Sequence, residues 1–140
     1  MGMYVDQYVG YMVDVTEEVD ALGKDINDLL WYTLFMDDNP MPKDLETLGV
    51  KATFADDSPN TGDIEVIFDS NSGRYAKIVL IESVDRYSDN ESKPNDLVNE
   101  ALKKTPVDKE KIEKLAKVYE CLFKKPMQKE VYLQQFARWR

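Results

Sequence analysis

Apolar residues recur along the first 36 positions at alternating intervals of three and four. Val5, Tyr8, Met12, Val15, Val19, Leu22, Ile26, Leu29, Thr33 and Met36 make up the series, and only Thr33 in it is polar. That spacing is the seam of a helix packed on a neighbour, and it predicts a long N-terminal helix. The start of the segment also alternates in steps of two. Val5, Val9, Tyr11, Val13 and Val15 would share one face of a strand over residues 5 to 15, with Gln7 as the polar member. The Val and Tyr content suits that reading. The helix is preferred because the three-four pattern runs through Thr16 into a segment that is helical either way, although Gly10 and Gly23 weaken it. On the strand reading Thr16 becomes an N-cap, with Glu17 and Glu18 in the first turn against the helix dipole.

Asp37, Asp38, Asn39, Pro40 and Pro42 end this element, and a short helical turn with Leu45 and Leu48 follows, closed by Gly49. Three β-type runs come next. Val50, Ala52 and Phe54 alternate with Lys51 and Thr53; Ile64, Val66 and Phe68 alternate with Glu65 and Ile67; and Tyr75 to Val84 is apolar on both faces through Ile78, Val79, Leu80 and Ile81. With Pro, Asn and Gly in the connectors Ser58 to Gly62 and Ser70 to Gly73, these runs predict a three-stranded antiparallel meander whose central strand is Tyr75 to Val84. Pro94 then opens a helix with Leu97, Val98, Ala101 and Leu102 on its stripe. Thr105 as N-cap, Pro106 and Asp108 start another, continued by Ile112, Leu115, Ala116, Tyr119, Leu122 and Phe123. Pro126 opens a last helix carrying Met127, Tyr132, Leu133, Phe136 and Trp139. The expected fold is α+β, a single domain over residues 1–140: the meander packed against a long N-terminal helix and three C-terminal helices.

Composition narrows the chemistry more than it names it. The chain has 140 residues, 43% of them hydrophobic and 11% aromatic, enough for a buried core without metal or disulfide support. Its one cysteine, Cys121, excludes an intrachain disulfide and reads as a packed thiol on a helix. The start MGMYVDQYVG lacks the basic and apolar regions of a secretory leader, and no run approaches the ~18 apolar residues of a membrane span, so a cytoplasmic protein without membrane association is expected. Histidine is absent. A His general base, a Ser-His or Cys-His nucleophile and a His-ligated metal are therefore excluded within one subunit. No cofactor is expected.

Charge is divided unevenly. Residues 1 to 100 hold 22 acidic and 7 basic side chains, a balance of −15, whereas residues 101 to 140 hold 5 and 11, a balance of +6. The basic segment, from Lys103 to Arg140, could track phosphates, but the acidic remainder opposes this, and no direct nucleic-acid binding is expected. Acidic helices can instead pack beside basic ones. The acidic positions placed in loops or at element ends are Asp37, Asp38, Asp56, Asp57, Asp85, Asp89 and Glu91, and these are the candidate partner-binding residues. They predict docking onto a protein partner with a basic surface. In size and charge the chain resembles the small acidic blockers of defence nucleases carried by phages and mobile elements. That resemblance implies a non-catalytic inhibitor that mimics a nucleic-acid backbone and occupies a basic site on its target.

Two alternatives belong to other classes. Glu17 with Asp20, and Asp25 with Asp28, are carboxylate pairs at i and i+3, a spacing that resembles the helical carboxylates with which all-α nucleotide pyrophosphohydrolases hold magnesium. They imply a magnesium-dependent phosphohydrolase, though all four lie off the apolar seam. The seam itself implies a structural subunit that forms a homodimer through it. A calcium loop starting at Asp57 fails, because Pro59, Thr61 and Phe68 stand where ligands belong.

Overall fold

The computed structural model describes residues 4–53, 60–69, 75–88 and 96–139. Its N-terminal segment is a strand, β1 (Tyr4–Asp14), followed by two short helices, α1 (Thr16–Ala21) and α2 (Lys24–Leu30), and farther on by the short α3 (Lys43–Thr47), which buries Leu45. The long N-terminal helix, and with it the continuous seam, is therefore replaced by the strand reading. An interval of four residues is even, so it keeps Tyr8 and Met12 on one face of a strand as well as of a helix. Those two side chains are fully buried on one side of the sheet, while Tyr11, Val13 and Val15 are buried on the other. A single helix has no second core to receive them; a strand inside a two-faced sheet does.

The sheet has five strands in the order β2-β3-β4-β1-β5, where β2 is Val50–Lys51, β3 is Ile64–Asp69, β4 is Tyr75–Ser88 and β5 is Tyr132–Trp139. The run expected to be central occupies the third position. The rest of the meander is corrected. β3 and β4 pair antiparallel, but β2 contributes two residues and pairs with β3 in parallel, Val50 opposite Ile64 and Lys51 opposite Glu65. Phe54 lies outside the described residues.

The expected C-terminal helix is also a strand. β5 pairs antiparallel with β1, from Val5 opposite Trp139 to Met12 opposite Tyr132. Once residues 4 to 14 are extended, their outer edge offers unpaired backbone groups, and a Tyr-, Phe- and Trp-rich segment satisfies them better than a helix would. β1 pairs on its other side with β4, from Tyr4 opposite Ser88 to Asp14 opposite Lys77. The register shifts after Val9, which lies opposite Ser83 while Gly10 lies opposite Ile81, so Glu82 is the extra residue of a bulge.

Helix α5 (Lys109–Phe123) crosses one face of the sheet. Its Leu115, Val118 and Tyr119 are buried with Tyr11, Val13, Ile64, Val66, Ile78 and Leu80, and Val19, Leu34 and Leu45 complete that core. The expected N-cap at Thr105 lies three residues early. Asp108 is the N-cap: its side chain accepts from the Glu110 backbone N–H at 3.0 Å, and its own N–H donates to the Tyr11 hydroxyl at 2.9 Å. Thr105 instead closes α4 (Asp96–Lys103), its backbone N–H donating to the Leu102 carbonyl. The opposite face buries Tyr8, Met12, Ile67, Val79 and Ile81, with Val84 and Phe136 at the margin. α4 lies against β5, where Lys103 Nζ stands 5.0 Å from the Tyr132 ring centre. No helix among the described residues is long and apolar enough to cross a membrane.

Candidate protein-docking face

The surface that carries both acid and exposed apolar side chains is built on α2 and the turn that continues it. α1 is anchored to the sheet at its start. Val15, not Thr16, is the N-cap, and the preceding Asp14 secures the first helical residue: its Oδ1 accepts from the Thr16 N–H at 2.9 Å and the Thr16 hydroxyl at 2.6 Å, while Thr16 Oγ1 accepts from Ala76 N–H at 3.0 Å. Those bonds hold the Asp14 carboxyl below its ordinary value against the opposing effect of burial, helped by Lys77 and Lys129. Gly23, at φ 87°, then turns the chain into α2.

α2 runs directly into a π-helical turn, Trp31–Phe35, in which the Met36 N–H donates to the Trp31 carbonyl at 2.9 Å. The turn is braced from the sheet side. Thr53 donates its N–H to the Leu34 carbonyl at 3.0 Å and its hydroxyl to the Val66 carbonyl at 2.9 Å, bridging the turn to β3. The Trp31 and Phe35 rings lie 4.3 Å apart and both meet Phe68. Thr33, Leu34 and Phe35 are consequently buried in succession, yet α2 buries none of its own residues. Ile26, Leu29, Tyr32 and Met36 remain 47%, 57%, 49% and 38% exposed.

Of the candidate residues, Asp37 and Asp38 are exposed directly after the π turn, Asp37 in the left-handed region at φ 59°. The Asp38 N–H donates to the Tyr32 carbonyl at 2.8 Å, which fixes the pair beside the turn. Asp85 is exposed on β4, opposite Gln7, and belongs to a different element. Asp56, Asp57, Asp89 and Glu91 lie outside the described residues. The carboxylates considered for magnesium are only partly united. Asp20 and Asp28 line a shallow groove of about 280 Å³ between α1 and α2 with Gly23, Lys24 and Asn27, and Glu17 and Asp25 are not part of it. Among the described residues no group of three or more acidic or thiol side chains is placed to hold a metal ion.

The basic segment is turned partly inward. Lys111 pairs with Glu82 at the β4 bulge, and Lys129 Nζ lies 2.7 Å from Glu18 Oε1 while also donating to the Asp14 carbonyl. Glu18 is buried, which would raise its carboxyl, but Lys129 and the neighbouring Tyr119 hydroxyl together hold it below the usual Glu value. Burial and that carboxylate push the Tyr119 phenol up to about 12. Cys121 is half-buried and donates its thiol to Asp44 Oδ2 at 2.9 Å; burial and the Asp44 charge push its pKa up, as expected of a packed rather than a reactive thiol.

The sequence reading named Asp37 and Asp38 at an element end, where the structure shows them exposed, but placed Ile26, Leu29 and Met36 in a buried seam and passed over Tyr32. The signal available was their density: four large apolar residues interleaved with Asp25, Asp28, Asp37 and Asp38. No protein-family model, curated protein or solved structure matches the chain.

Proposed function

We propose that this chain is a non-catalytic acidic binding module that occupies a basic site on another protein, in the manner of a small inhibitor that takes the place of a nucleic-acid backbone. The supporting observation is a local concentration of outward acid. Two lysines of the basic segment, Lys111 and Lys129, are engaged with the body through Glu82, Glu18 and the Asp14 carbonyl, while Lys103, Lys104, Lys109, Lys114, Lys117, Lys124 and Lys125 stand exposed on their own segment. Over residues 24–38, in contrast, Asp25, Asp28, Asp37 and Asp38 are all exposed against the single cation Lys24, and that negative surface favours encounter with a positive one and disfavours polyanions.

The test is capture of the partner from native host lysate at low salt, followed by mass spectrometry of what elutes as salt rises. A partner released by salt, and displaced by a DNA or RNA oligonucleotide, is expected. Binding indifferent to ionic strength and to the oligonucleotide would refute the reading.

A further inference from the structure

We propose that the docking face of this module is the exposed edge of α2 and its π turn, and that its occupant is a basic protein segment with an aliphatic centre. The aliphatic side chains of the partner would cover Leu29, Tyr32 and Met36, and its Lys or Arg side chains would meet the exposed carboxylates of Asp25, Asp28, Asp37 and Asp38. This rests on the reading of the chain as an acidic binding module and says where, and with what chemistry, it binds.

Among the described residues five large apolar side chains are exposed, and four of them, Ile26, Leu29, Tyr32 and Met36, lie within eleven consecutive positions. Single exposed apolar residues are ordinary; a concentration of them marks an interaction surface. Intervals of three, three and four place them along one edge of a helix. The edge is not spare core. α2 buries none of its residues, while the π turn sends Leu34 and Phe35 inward and leaves Tyr32 and Met36 outside.

Charge selects the occupant. Asp25 and Asp28 flank the edge on α2, and Asp37 and Asp38 close its end, all exposed; Lys24 is the single cation of this stretch. A second copy would bring the same carboxylates face to face between chains of net charge −9. A basic segment meets them with opposite charge. The groove beside the edge is lined by Lys24 as well as by Asp20 and Asp28, so the attraction for a cation lies in the exposed carboxylates along the edge.

The experiment uses amide NMR of the full chain, titrated with two synthetic 18-residue peptides of equal charge. One is an amphipathic Leu/Arg helix; in the other every Leu is Ser. The Leu/Arg peptide is expected to shift amides of residues 24–38 first and to bind at least tenfold more tightly than its control. Leu29→Ser and Tyr32→Ser should each weaken it about tenfold, as for central anchors of an interface, and Lys24→Gln should tighten it. Both substituted side chains are half exposed, so unchanged melting temperatures should confirm intact folds. Shifts centred elsewhere, or equal affinity for L29S, Y32S and the unsubstituted chain, overturn this assignment; salt-dependent binding at the other location leaves the module reading standing. Failure of both peptides to bind at low salt overturns both. Light scattering that shows a dimer abolished by Leu29→Ser would assign the edge to self-association and overturn the proposal.

Discussion

Gly10→Ala distinguishes the strand from the helix by the sign of its effect. In a helix interior Ala is about 1 kcal/mol better than Gly. In the sheet a Cβ at position 10 would stand 2.2 Å from the Leu80 carbonyl oxygen, 3.1 Å from its carbon and 3.3 Å from Ile81 Cα. All three are backbone atoms of β4, so no side-chain rotamer relieves the contact. Close carbon–oxygen contacts across strands settle near ~3.3 Å, so β1 and β4 would have to part locally by about 1 Å. That much lengthening takes ladder hydrogen bonds out of their normal range. Overpacking at about 1–3 kcal/mol, together with one or two weakened bonds at ~1 kcal/mol each, gives a loss of about 3 kcal/mol. For a chain of this size that is a fall in melting temperature of about 10 °C. Urea unfolding followed by far-UV circular dichroism measures it directly. Gly49→Ala is the control: its Cβ meets nothing within 4 Å, and only the φ of 90° penalises it, at about 1 kcal/mol. A Gly10→Ala chain as stable as the parent, or more so, would refute the close approach of β1 to β4 and the register that produces it.

Lys129→Met should destabilise by about 2–3 kcal/mol in the same assay, below the usual figure for a broken buried pair because the lysine is partly exposed; adding Glu18→Gln should restore much of the loss, and a merely additive double variant would show that the pair is not coupled. Folded-state carboxyls held low, as at Glu18 and Asp14, stabilise the chain above the ordinary carboxyl pKa, and this contribution is lost as pH falls through their folded values. Urea midpoints measured from pH 7 downward should therefore fall less in Glu18→Gln than in the parent, and parallel curves would contradict the assignment. The Tyr119 phenol, at about 12 in the fold, stabilises below its ordinary value near 10 and loses that contribution as pH rises through 12; Tyr119→Phe should flatten the alkaline limb. Cys121 should alkylate slowly with iodoacetamide at pH 8 and several-fold faster in Asp44→Asn, whereas equal rates would show that Asp44 does not hold the thiol protonated.

What the sequence made legible follows from which periods are ambiguous. The run from Tyr75 to Val84 was recognisable as a central strand because consecutive buried residues, Ile78 to Ile81, fit neither a half-exposed strand nor an amphipathic helix of that length. α5 was recognisable from its stripe, although Asp108 rather than Thr105 caps it, since a capping carboxylate three residues farther on competes for the same role. β1 was misread because its apolar positions satisfy both periods, and the tie is broken only by two partner strands distant in sequence. β5 was misread for the same reason: its extended form is set by the open edge of β1, a tertiary cause that local propensity does not contain. Of the acidic positions, the exposure of Asp37 and Asp38 was legible from their place at an element end. The apolar residues beside them were not, because surface and core residues of one helical period look alike until the core is assembled.

The location proposed for binding follows from how completely that core is used. Among the described residues, β1 and β4 bury side chains on both faces of the sheet. α5 spends its apolar stripe on the sheet and ties Lys111 to the β4 bulge. α1 contributes Val19 to the core and Glu18 to the clasp with Lys129. α2 alone among these neighbours carries Ile26 and Leu29 and buries neither. A helix seven residues long has little stability of its own, and it is held at both ends, by the turn from α1 and by the Thr53 brace on the π turn. Ile26 and Leu29 are 47% and 57% exposed on an element fixed in this way, so about half of their apolar surface adds nothing to folding, and on the docking proposal it is this surface that a partner would cover.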